Sequence, residues 1–321
     1  MKRIFCAALL LTICVMSLPR LFPMNGEAAP PGEDKPEASA EPLARDAERS
    51  IRLLRGDEVV SMSVFDYLRG VVAAEMPVSF EPEALKAQAV AARTYLAREQ
   101  QSPKHDNADI CADSGCCQAY LSDAELKESW GDKLETYMDK VRDAVTATDA
   151  QYLSYDGAPV LAAFHSSSDG ATEDAGEIWS DVPYLTSVDS PETAEDVPNF
   201  VSTVENSELD FRDTILYACP DADMTGDADS WVGDVRRNRS GRVESVFVGG
   251  KELTGSQMRT LFKLRSTNFE ISHSDGRFVF TVRGYGHGVG MSQYGANAMA
   301  ASGMDYRAIL AHYYPNTRLV T

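Results

Sequence analysis

An α+β fold is predicted for this chain of 321 residues: a single mixed domain with an inserted subdomain, preceded by an N-terminal membrane segment and a linker. Three features carry that expectation. Short β-rich pieces bounded by Gly and Asp turns alternate irregularly with helical stretches, without the regular strand-helix alternation of a parallel α/β fold. No internal repeat divides the chain. Its 44% apolar residues are enough for a substantial core.

The chain opens with Lys2 and Arg3, then runs uncharged from Ile4 to Leu18 before Pro19-Arg20 and a second apolar patch, Leu21 to Met24. Residues 1–25 fit either a cleaved export signal, with Gly26-Glu-Ala28 as a small-x-small site, or a retained single-pass anchor. Both place the folded part outside the cytoplasm. Residues 26–50 hold Pro30, Pro31, Pro36 and Pro42 among scattered charges, and their lack of periodicity predicts a flexible linker. The domain then occupies residues 51–321. It starts with a hairpin, Ile51 to Arg55 and Val59 to Val64 around the Gly56-Asp57 turn, followed by a short helix from Phe65 to Ala74.

Glu81, Pro82 and Glu83 make a good first turn for a helix ending near Gln101, with negative charge at its positive end. Trp130, Leu134, Tyr137, Met138, Val141 and Val145 mark one face of a helix over 124–148. Tyr152 to Tyr155 and Val160 to Ser166 read as a second hairpin. The polar, acidic stretch 190–235 is the expected inserted subdomain. Strands at Val243 to Val248 and Phe278 to Val282 flank a helix from Gly255 to Phe262, and helices at Gln293 to Ala301 and Tyr306 to Tyr313 close the chain.

Charge narrows the function. The formal net charge is −19, and because residues 1–25 carry +3, the remainder carries −22. Such a surface repels phosphate backbones, so nucleic acid is excluded as a partner. His105, Cys111, Cys116 and Cys117 fall within thirteen residues at H-x5-C-x4-C-C spacing. One imidazole and three thiolates suit a closed, structural zinc site. In an exported protein a disulfide such as Cys111 with Cys117 competes equally, since the adjacent Cys116 and Cys117 do not readily bridge each other.

The chemistry points to Glu75. Val71 to Ala74 precede it and Met76-Pro77 follow, so a turn packed inward desolvates the carboxylate and raises its pKa. A carboxyl kept protonated near neutral pH serves as a general acid. An exposed acid at a turn is the plain alternative. Glu173, Asp174 and Glu177 are candidates for a second carboxylate. The five glycines between Gly284 and Gly295 allow close backbone approach to a ligand, with His287, Ser292 and Gln293 as candidate groove residues. His165 with Ser166, Ser167 and Ser168 reads as a structural polar loop, because no paired acid accompanies it.

Several motifs in fixed order resemble the stage II sporulation protein D family. They are Glu75-Met-Pro, Leu85-Lys-Ala-Gln-Ala-Val-Ala-Ala-Arg-Thr-Tyr95, Cys117-Gln-Ala-Tyr120, Phe164-His-Ser-Ser-Ser, Leu264-Arg-Ser-Thr and Gly284-Tyr-Gly-His-Gly-Val-Gly-Met-Ser-Gln-Tyr-Gly295. The resemblance covers residues 51–321 and implies a peptidoglycan lytic transglycosylase, anchored in the membrane and working with a partner amidase or endopeptidase during engulfment. By position it puts the catalytic glutamate on Glu75 and a substrate-engaging arginine on Arg93, with Gln88 a weaker candidate on the same helix. It puts zinc on His105, Cys111, Cys116 and Cys117, although Cys116 stands where the family often has His. It also favours the retained anchor. A noncatalytic glycan-binding activator of a cell-wall amidase is the competing function, and a zinc hydrolase with an open metal position a third.

Overall fold

The computed structural model describes residues 40–321; the apolar leader and the linker up to residue 39 lie outside the described residues. Among the described residues, no helix is long and apolar enough to cross a membrane.

The chain begins with a 3₁₀ turn at Asp46–Glu48, then β1 (Ser50–Arg55) and β2 (Glu58–Ser63) form the expected hairpin. Residues 40–50 are not a free linker. Asp46 is fully buried, and the Glu41 carbonyl accepts a 2.7 Å bond from the Tyr152 hydroxyl. The strap is held because Asp46 answers a buried cation, a feature of tertiary structure that composition does not reveal.

Helix α1 (Val64–Glu75) is capped by Ser63, whose side chain accepts from the Asp66 N–H. It ends at Glu75 because Met76 precedes Pro77, and a residue before proline is pushed out of the helical region; Met76 sits at φ −117, ψ 139. Helix α2 (Pro82–Gln101) starts on proline and is buried almost all round. Its alanines, including Ala84, Ala87, Ala91 and Ala92, are small enough for α1 and later elements to close on every side. Leu85, Val90 and Leu96 are fully buried within it, each burial stabilising by about 1.5–3 kcal/mol.

Strand β3 (Ile110–Cys111) joins β1 in parallel. The single helix expected over 124–148 is two: α3 (Asp123–Trp130) and α4 (Leu134–Ala147). Gly131, at φ +52, ends the first in a backbone state that disfavours side chains, and the chain restarts on a new axis. Then β4 (Tyr152–Tyr155) pairs with only the two residues of β5 (Ala158–Pro159). The rest of the expected hairpin strand leaves it, because β6 (Phe164–His165) pairs in parallel with a strand far downstream.

The next stretch builds a second core. It runs through β7 (Val201–Ser207), α5 (Glu208–Ala218), β8 (Val232–Arg237), β9 (Val243–Val248), β10 (Lys251–Thr254), α6 (Gly255–Leu261), β11 (Phe269–Ser274) and β12 (Arg277–Arg283). Two three-stranded sheets, ordered β11-β12-β7 and β10-β9-β8, enclose Phe211, Phe262, Phe278 and Phe280. Phe211 stacks on Phe278 with ring centroids 3.9 Å apart. This core draws more on residues beyond 235, from Val243 to Val282, than on 190–235, which is therefore the smaller part of a larger packing unit rather than a body of its own. The chain returns to the first core with β13 (Met291–Ser292), α7 (Gln293–Ala301), α8 (Tyr306–Tyr313) and β14 (Arg318–Val320), the last pairing with β4.

Candidate active site and metal cluster

Glu75, the last residue of α1, is half-buried on the wall of a cleft of about 750 Å³. One carboxyl oxygen accepts a 2.8 Å bond from the Ala119 N–H, and the nearby Gln293 side chain also favours the charged form. Burial pushes this carboxyl above the usual carboxylate range despite both of these neighbours. Its place at the negative end of a helix acts in the same direction. Among the described residues no cation pairs with it, and it is the only carboxylate lining the cleft.

The loop holding Ala119 is pinned from behind. The Tyr67 hydroxyl donates to Gln118 Oε1 at 2.9 Å, and the Tyr67 and Tyr120 rings stack at 6.0 Å. Gly70 makes this approach possible, since a Cβ there would lie 2.3 Å from the Tyr120 ring. Two residues before Ala119 the same loop meets the metal cluster. His105 Nε2 lies 3.6 Å from Cys116 Sγ and 3.8 Å from Cys117 Sγ, and the two sulfurs are 3.9 Å apart. With Cys111, all four donor atoms fall within 4.8 Å of one another. A tetrahedral ion with metal–sulfur bonds of about 2.3 Å needs donor separations of about 3.8 Å, so this set can hold a metal ion. None of the four described cysteines forms a disulfide, which removes the Cys111–Cys117 bridge.

Of the expected groove residues, Gln293 and His287 line the cleft. Val289 N donates to His287 Nδ1 at 3.1 Å, and burial with the nearby Arg259 and Arg242 charges pushes the imidazole down to about 4, so it is neutral at neutral pH. The other three expectations are corrected. Arg93 has no exposed surface; its guanidinium grips Asp46 at 2.6 to 2.9 Å and also donates to the Gln151 carbonyl at 3.1 Å. It faces away from the cleft because the strap supplies the anion it needs. Gln88 is fully buried, its Oε1 3.5 Å from Gln293 Nε2, so it reaches the cleft only through Gln293. Ser292 is fully buried as the N-cap of α7 and donates to Glu192.

The second-carboxylate candidates also fall outside the cleft. Glu173 is buried against Asn238, Ser240 and Arg242, Asp174 caps a 3₁₀ turn, and Glu177 lines a separate small cavity. His165 and Ser168 share a 2.7 Å bond but are both buried, in keeping with a structural polar loop. Sequence reasoning missed Ala119, which acts through its backbone, and the cleft residues Lys104, Trp179 and Tyr285. A tryptophan in a polar stretch was the one available signal.

The stage II sporulation protein family model matches residues 55–155, which hold Glu75, the alanine-rich helix and the metal cluster. Over 98% of the chain, the sequence is 36% identical to stage II sporulation protein D of Bacillus subtilis, covering 93% of that protein. The chain belongs to the stage II sporulation protein D family. The Bacillus amyloliquefaciens stage II sporulation protein D is likewise 36% identical, over 86% of this chain and 80% of its own length. A more distant similarity, 28% identity over 79% of the chain, is to the amidase enhancer of Bacillus subtilis, of which it covers 40%.

Proposed function

We propose that this family member is a lytic transglycosylase that cuts the bond between N-acetylmuramic acid and N-acetylglucosamine in peptidoglycan, with Glu75 as the acid and then the base. The observation that carries the reading is one carboxyl, half-buried and shifted toward its protonated form, facing a cleft that holds no second carboxylate among the described residues. Hydrolysis by the usual two-carboxylate routes needs a partner acid to act as nucleophile or to activate water. A single acid suffices when the substrate attacks itself.

Glu75 gives its proton to the glycosidic oxygen as the bond from the N-acetylmuramic acid anomeric carbon breaks. The C6 hydroxyl of that sugar closes on the anomeric carbon, and its proton passes to the Glu75 carboxylate. The product is a 1,6-anhydro ring, no water is consumed, and the acid is regenerated. The intramolecular nucleophile is already positioned, which supplies the proximity advantage.

The metal we assign to the cluster is zinc, bound by His105, Cys111, Cys116 and Cys117 in a structural role. Its closed donor set leaves the chain's own residues to do the chemistry: Cys116 and Cys117 fix the loop from which Ala119 holds Glu75. We further propose a retained N-terminal anchor with the domain outside the cytoplasm, and a partner cell-wall hydrolase. The likeness to an amidase enhancer favours one second reading, a noncatalytic activator of an amidase.

Mass spectrometry of products from purified glycan strands separates the two. The parent chain is expected to release anhydro-muropeptides and Glu75→Gln none. Persistent anhydro products from Glu75→Gln, or none from the parent alongside undiminished amidase stimulation, would replace the enzyme with the activator.

A further inference from the structure

Three aromatic side chains stand markedly exposed among the described residues: Trp179 at 48%, Tyr217 at 88% and Tyr285 at 45%. Two of them, Trp179 and Tyr285, line the cleft that contains Glu75. Both are held by ring and backbone contacts. The Trp179 ring rests on His287 with centroids 4.9 Å apart, and its backbone N–H donates to the Ala175 carbonyl at 2.8 Å. The Arg265 guanidinium sits over the Tyr285 ring, 4.3 Å from its centroid, and the Tyr285 backbone exchanges hydrogen bonds of 3.0 and 3.1 Å with Ser167.

The sequence Gly284-Tyr-Gly-His-Gly-Val-Gly290 explains how Tyr285 and His287 come to line the cleft. A Cβ at Gly284 would lie 2.8 Å from the Ser167 carbonyl oxygen, one at Gly286 2.8 Å from His165 Cβ, and one at Gly288 2.5 Å from the Arg242 guanidinium carbon. Each glycine lets the backbone press against what lies beneath it, and the residues between are left to the cleft. All three glycines have positive φ, so side chains are disfavoured there on two counts.

The cleft lining therefore joins two unlike kinds of group: polar ones, Glu75 and Lys104, and aromatic ones, Trp179, His287 and Tyr285. Neither the Trp179 indole N–H nor the Tyr285 hydroxyl bonds to protein among the described residues. A ring with an exposed face and an unused polar tip suits a ligand that is apolar on one side and hydroxylated at its edge. A pyranose with equatorial substituents has that form: its axial C–H bonds make an apolar face, and its hydroxyls and acetamido group make a polar rim.

We propose that Trp179 and Tyr285 are sugar-stacking subsites that grip successive residues of an extended β-linked amino-sugar chain and set its register over Glu75. The proposal rests on the glycan-cleaving reading of this cleft. It adds two binding residues and the face by which the sugar is held.

Binding of a β-1,4-linked N-acetylglucosamine tetramer to the full chain, measured by isothermal titration in the Glu75→Gln background, tests it. Trp179→Ala and Tyr285→Ala are each expected to weaken binding by about tenfold. Trp179→Phe, which keeps a stacking face, is expected to retain most of the affinity, and thermal melts of all variants should match the parent. Alanine variants that bind within twofold of the parent would overturn the proposal, as would a parent that does not bind the tetramer at all. Binding lost in Trp179→Ala while the wild-type chain releases no anhydro product would support the subsites and remove only the transglycosylase.

Discussion

Arg93 and Glu75 lie on consecutive helices of the same core, yet one is finished chemistry and the other is open. Arg93 is fully buried with a carboxylate and a backbone carbonyl as partners, and every interaction it makes is internal. Glu75 has one backbone N–H donor, the neutral Gln293 side chain nearby and an opening to the cleft. A buried charge that is answered fixes structure, whereas a half-buried acid left without a counter-ion is free to trade a proton. The difference lies in the partner, not in the residue type or its helix.

The comparison can be broken from either side. Asp46→Ala strips Arg93 of its counter-ion and should destabilise the fold by about 3–5 kcal/mol, read in urea unfolding, while Asp46→Leu with Arg93→Met should recover much of that loss. A small effect of Asp46→Ala would mean that the strap is not what holds Arg93. On the other side, Glu75→Gln should lower anhydro-muropeptide release by at least about a hundredfold with an unchanged melting temperature, since it removes the proton donor and little packing.

A sharper test gives Glu75 the cation that it lacks. Activity that needs the protonated carboxyl is lost as pH rises through its raised pKa. Gln293→Lys should lower that pKa and move the alkaline limb of the rate profile toward acid, with activity at neutral pH falling accordingly. An unmoved limb would show that another group supplies the proton.

Removing the zinc proposed for the His105–Cys117 cluster should act more mildly. Chelation is expected to lower the melting temperature by about 5 °C, as a loss of about 2 kcal/mol would in a chain of this size. A melt that chelators leave untouched would discard the cluster as a bound-metal site.

The smallest effect belongs to a paired group at the surface. Hydrogen bonds from His273 to Asp229 at 2.5 Å and Glu208 at 2.9 Å raise its pKa above the ordinary 6.5. Its stabilising contribution is therefore complete below about 6.5 and is lost as pH rises through the raised folded value. His273→Gln should lower the melting temperature slightly near pH 5.5 and leave it unchanged near pH 9.

What could be read from the sequence follows from the range of the interactions involved. The end of α1 was legible to within one residue, Ala74 against the observed Glu75, because Pro77 stops a helix locally, and the thiol cluster because its donors lie within thirteen residues. Arg93 was misleading because its partner stands 47 residues away, in a strap that looks like linker. The second core escaped notice because Phe211 meets Phe278 across most of that region, where no periodicity connects them. The aromatic part of the cleft lining depends on the glycines between 284 and 290 pressing against Ser167, His165 and Arg242, and a run of glycines alone does not say which way its neighbours turn.

The Asp46–Arg93 pair has a mechanical consequence. Any pull arriving along the chain ahead of residue 40 reaches a buried bolt on the domain's central helix before it reaches β1 or the loops around Glu75. Tension is delivered to the buried helix α2, and the loops around Glu75 are spared from it.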